Sequence, residues 1–214
     1  MDNLAHALVG AALGRAVADR HLPRAATIGV IAANAPDWAE LFIGLPGTPA
    51  EYLQLHRGIT HSLVGAIVEI IGLTLLIRVP WWLVARWIQR RGCEITVPAW
   101  RWLALCICVT VLSHLYMDWQ GSYGWRPFLP WSGTWYYLDW VAIADVFFWL
   151  LPLVGLAWGA ERHWIRLSGP LVIATLITLL MVWNASILAP WVFVVSGALY
   201  VIALIGWARY WFGP

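Results

Sequence analysis

The sequence predicts an all-α fold: a polytopic integral membrane helical bundle of five spanning helices, with two shorter helices at its N-terminal end. Three observations carry that expectation. Apolar residues make up 62% of the 214 positions and charged residues 11%, against about 45–50% and about 25% in soluble domains. Several apolar runs approach the ~20 residues that cross a hydrocarbon layer of ~30 Å. The chain also holds 18 Trp, many at the ends of those runs, among them Trp81, Trp82, Trp100, Trp119, Trp140 and Trp191. Indole rings favour the headgroup level, where the ring is apolar and the N–H stays wet.

Taken in order, residues 4–18 and 25–34 read as helices. Both are short for spanning, and suit tilted, half-buried or re-entrant segments. The first span, 59–77, carries His61 and Glu69, the latter deep enough to predict a hydrogen-bonded structural role. The second, 99–117, has Arg101 at one end and His114 near the other; the third, 141–159, has Asp145 close to its start. Residues 167–188 and 191–212 are the cleanest spans. Segments 36–58 and 119–140 are irregular and rich in Gly and Pro, whereas 78–100 is basic, Trp-rich and interfacial in character. There is no internal repeat, and residues 1–214 read as a single membrane-embedded domain, its metal site drawn from residues 6–145.

The 13 basic residues are all Arg and the net charge is +2, which gives no basic stripe for nucleic acid. Cys93, Cys106 and Cys108 form no C-x-x-C pair, so neither a thiolate zinc site nor a disulfide framework is indicated. The opening MDNLAHALVG lacks the basic stretch of a cleavable signal peptide. If each helical stretch reverses the chain, all arginines except Arg57 and Arg126 fall on one side, which the positive-inside rule makes cytoplasmic. The candidate ligands then gather on the opposite, non-cytoplasmic face.

Those candidates are His6, Asp37, His56, His61, His114 and Asp118. Histidines and carboxylates beside apolar runs are costly unless paired or bound to a metal. His114 and Asp118, in SHLYMD, are four apart and share a helix face. His56 and His61, in HRGITHS, are five apart; Gly58 permits a turn, and Thr60 is positioned to cap a helix beginning at His61. Asp37 closes a helix at NAPDW, where a carboxylate meets the unfavourable end of the dipole unless a cation offsets it. Arg57 offers a planar fork for a phosphate oxygen, with headgroup anchoring as the plainer role. Asp139 and Asp145 suit a metal ligand, a general base or an orienting partner of a histidine, with a pair of interfacial acids as the bland alternative. Plain alternatives exist for the ligand candidates too: helix capping around His6, an ordinary interfacial pair for His56 and His61, a solvated acid for Asp37.

In order along the chain, DNLAHALVGAALG, AANAPDW, HRGITHSLVG, SHLYMDWQGSYGWRPFLP and WYYLDW resemble the YdjM-like family of membrane-bound, metal-dependent hydrolases. The resemblance covers roughly the first two-thirds of the sequence. It implies His6, Asp37, His56, His61, His114 and Asp118 as the polar signature positions, and a distant similarity to helical, zinc-dependent phospholipase C enzymes. The expectation is therefore a bacterial inner-membrane hydrolase using a divalent metal, with zinc suited to His/Asp ligation. Its partners would be the bilayer and a lipid or phosphoester substrate, with Arg57, Asp139 and Asp145 in the reaction. The rival expectation is a non-catalytic membrane protein with a structural or regulatory metal. A transporter fits less well, because the polar groups cluster at one end instead of lining a path.

Overall fold

A computed structural model describes residues 1–39, 57–93, 95, 97–142 and 146–158. It contains five α-helices and no strand among those residues: α1 (Asn3–Ala18), α2 (Ala25–Asn34), α3 (Leu63–Gln89), α4 (Trp100–Gln120) and α5 (Val146–Trp158). By its contacts the chain divides into two compact units, Met1–Pro152 and Leu153–Pro214; the core and site described below lie in the first.

The α1 helix starts where Asp2 accepts the Ala5 N–H at 3.0 Å, which satisfies one of the orphan donors of the first turn. The Asp2 carboxylate also accepts the Trp149 indole N–H at 3.0 Å, fastening α5 to the chain start. Asn34 and Pro36 end α2 as expected, and Ala35–Asp37 continues as one 3₁₀ turn. Small residues let α1 and α2 touch backbone to backbone. A Cβ on Gly10 would stand 2.5 Å from both the Gly29 carbonyl and the Ala33 Cβ, and one on Gly29 would collide with the Gly10 carbonyl. Gly10 and Gly14 are four apart, as are Ala25, Gly29 and Ala33, the spacing that lets helices approach closely in membranes. Against this pair lie α4 and, across α4, α3; the shared core includes Leu22, Ile28, Leu73, Leu103, Ile107, Val111 and Leu115.

Two of the five expected spans have helices long and apolar enough to cross a membrane, α3 and α4. Within 141–159 the described helical residues are Val146–Trp158, 13 residues and about 20 Å at 1.5 Å per residue, and five spans are not supported among the described residues. The spans expected at 167–188 and 191–212 lie outside the described residues. The first span also runs further than expected. Its helix continues to Gln89 through Pro80, so most of the 78–100 stretch is helical. Its 27 residues extend about 40 Å, beyond the ~30 Å of hydrocarbon. The cap differs as well: Ile59–His61 is a 3₁₀ turn, and Ser62, not Thr60, caps α3 by accepting the Gly65 N–H at 3.0 Å.

Candidate metal centre

The site forms where four chain segments end together. His6 lies in the first turns of α1, Asp37 on the turn after α2, His61 on the turn before α3, and His114 with Asp118 at the end of α4. His6, His61, His114 and Asp118 are each at most 1% exposed. His56 and Asp145 lie outside the described residues. Asp139 is exposed, with a left-handed φ of 55°, and no ion pair among the described residues joins it to the cluster.

The hydrogen bonds fix which nitrogen of His114 faces the others. Its Nδ1 stands 2.6 Å from the Ala33 carbonyl. A carbonyl only accepts, so Nδ1 is the donor, and in the neutral ring Nε2 carries a lone pair. That Nε2 is 3.1 Å from His61 Nε2, 3.5 Å from Asp37 Oδ1 and 3.4 Å from Asp118 Oδ2. His61 Nε2 is in turn 3.1 Å from Asp37 Oδ1 and 3.5 Å from Asp118 Oδ2. Zinc binds nitrogen and oxygen at about 2.0–2.2 Å, and tetrahedral angles then separate neighbouring donors by roughly 3.3–3.5 Å. The observed 3.1–3.5 Å separations make triangles of that size.

On the other side of Asp118, the His6 ring stacks on His114 with centroids 3.7 Å apart. His6 Nε2 approaches Asp118 Oδ1 at 3.4 Å, but without hydrogen-bond geometry: both His6 ring nitrogens and Asp118 Oδ2 are buried and lack hydrogen-bond partners among the described residues. Buried polar atoms are normally satisfied, and these donors suit a cation. Two triads bring one donor atom each within 4.8 Å: His6, His114 and Asp118, and Asp37, His61 and His114. The residues present could therefore hold a divalent ion. Burial, then the neighbouring His114, pushes the His6 pKa down to about 4, which keeps its ring neutral and able to ligate near neutral pH. Burial favours protonation of Asp37, but the His61 hydrogen bond and nearby imidazoles outweigh it and lower its pKa below the usual carboxylate value.

Arg57 is buried and committed within the cluster. Its Nη2 contacts Asp118 Oδ1 at 2.9 Å, its Nη1 donates to the Gly124 carbonyl at 2.5 Å, and its guanidinium lies over the Tyr123 ring. The Met1 amino group also contacts Asp118 Oδ1. Asp118 thus presents one oxygen to cations and the other to His61 and His114. Sequence reasoning did not find the Ala33 and Gly124 carbonyls, because backbone acceptors leave no residue-type signature. The small-residue spacing of α1 and α2 was the signal that Ala33 would be brought in. The Oε2 of Glu69 is buried without a hydrogen-bond partner among the described residues.

Together these features define an α-helical membrane protein with a buried His/Asp cluster at one end of its two long apolar helices. The YdjM inner membrane protein family model matches residues 1–210, and the chain belongs to that family. The match extends well past the two-thirds of the chain that the motifs alone cover. Neither the curated proteins nor the solved structures contain a significant match.

Proposed function

We propose that the chain is a membrane-bound, metal-dependent hydrolase: a phosphoesterase acting on a lipid or membrane-delivered substrate from the non-cytoplasmic face. The observation that carries the reading is the convergence of the His61 and His114 Nε2 atoms with Asp37 and Asp118 oxygens at 3.1–3.5 Å. Asp37, His61 and His114 would hold the ion, zinc by donor type and separation, and a three-ligand set leaves a position open for chemistry. The ion would supply Lewis acidity and lower the pKa of a water from about 15.7 towards roughly 7. The residues themselves do the positioning. Ala33 orients the His114 ring through Nδ1, and Arg57 fixes Asp118 while placing a cation beside the site. A phosphoester oxygen needs such a cation, and a guanidinium suits its geometry.

One observation favours a structural or regulatory ion instead. Asp118 Oδ2 stands within 3.5 Å of both His61 and His114 Nε2, so it can complete a closed four-donor set. Metal analysis of the purified protein, followed by turnover of phospholipids and isoprenoid phosphates with and without chelator, separates the two. His61→Ala and His114→Ala should lose most of the metal and all chelator-sensitive turnover. Unchanged metal in both variants would remove these residues from the ligand set. Full occupancy with no turnover on any substrate would favour the structural reading.

A further inference from the structure

At the other end of the α3–α4 pair, Arg78 lies fifteen residues into α3, roughly 22 Å from its start. It meets Trp100, the first residue of α4, with its guanidinium 5.0 Å from the indole centroid. Arg78, Val79, Trp82 and Trp100 line a cavity of about 310 Å³, within the range of roughly 300–1,000 Å³ typical of small-molecule sites. Arg78 Nε is buried with no hydrogen-bond partner among the described residues. An unpaired buried donor is costly, and with Trp100 against its face the guanidinium keeps its N–H edge for acceptors in its own plane. That geometry matches a phosphate, which takes two parallel N–H bonds from an arginine.

We propose that this cavity binds the phosphate of an anionic phospholipid, with Arg78 as the donor and Trp82 and Trp100 as its walls. The site is separate from the His/Asp cluster and does not depend on the hydrolase reading. Its surroundings favour a lipid over a free anion. Exposed Leu75, Leu76, Val79 and Leu83 on α3 offer apolar surface that acyl chains can cover. The end of α3 and the turn after it carry arginines: Arg86 stacks on Trp82 at 4.3 Å, Arg91 on Trp87 at 3.7 Å, and Arg86, Gln89 and Arg90 line a second concavity of about 350 Å³. An anionic leaflet attracts such arginines, and paired indoles hold them at headgroup depth.

The test is native mass spectrometry of the full chain released from nanodiscs containing equal phosphatidylglycerol and phosphatidylcholine. Wild-type protein should retain phosphatidylglycerol in preference, and Arg78→Ala should lower that preference about tenfold, the weight of one charged hydrogen bond. Arg20→Ala, at an exposed arginine that does not line this cavity, should leave it unchanged. Arg78→Lys, which keeps the charge without the fork, should fall severalfold and decides the matter if Arg78→Ala does not fold. Equal retention of the two lipids, a wild-type ratio in Arg78→Lys, or an equal loss in Arg20→Ala would overturn the proposal. So would displacement of the retained lipid by millimolar inorganic phosphate, which would mark a site for a free anion.

Discussion

Gly10→Ala tests whether the close backbone contact between α1 and α2 holds the His/Asp cluster together. By intrinsic propensity the change should stabilise α1, since Gly costs about 0.8–1.0 kcal/mol relative to Ala in a helix interior. Packing argues the other way. The new Cβ would stand 2.5 Å from the Gly29 carbonyl and from the Ala33 Cβ, where ordinary contact begins at 3.4 Å. Two backbones and a methyl group cannot rotate aside, so α1 and α2 must separate by about 1 Å, an overpacking that costs about 1–3 kcal/mol. A comparable shift of Ala33 would stretch its 2.6 Å bond from His114 Nδ1 beyond hydrogen-bond range. Loss of such an orienting partner lowers metal affinity about 10–100-fold. The assay is thermal melting in detergent with metal titration on the same preparation, using Gly72→Ala, which meets nothing within 4 Å, as the control. Gly10→Ala should melt lower and bind metal more weakly, while Gly72→Ala matches or exceeds wild type. Equal melting and equal affinity in the two variants would refute the claim that this backbone contact positions His114.

Lowering pH should destabilise the metal-free protein through His6. Its folded pKa of about 4 lies below the ordinary 6.5, so the unfolded chain binds the extra proton first and stability falls between those values, by ~3 kcal/mol in all; a melting series in His6→Gln should be flatter there, and an identical slope would exclude His6 as the source. On the proposed hydrolase reading, Arg57→Lys should reduce turnover strongly and weaken metal binding about tenfold, because Lys cannot reach both Asp118 and the Gly124 carbonyl; wild-type affinity and rate would show that the fork is dispensable. With Cys93 replaced, a cysteine at Gly133 should react with an impermeant reagent from outside and one at Gly92 should not, and the reverse pattern would put the cluster on the cytoplasmic face.

The sequence by itself determined the helical class, the ends of α1 and α2, and the donors His6, Asp37, His61, His114 and Asp118 that the fold brings together. These were legible because the cost of a polar group beside an apolar run is local, and because positions four apart on a helix share a face whatever surrounds it. Helix lengths and caps were less legible. Ser62 and Thr60 are both capable caps, and the choice followed from a 3₁₀ turn that closes against Gly65. Likewise the apolar run after Ile77 continues through Arg78 and Pro80, because α3 tolerates a lost backbone bond there. Tertiary structure alone decided that Ala33 orients His114, that Arg57 serves Asp118, and that Arg78 meets Trp100 across two helices. Each joins residues distant in sequence, the first through a backbone carbonyl of a kind that every residue carries, so only the packing of the helices selects which one is used.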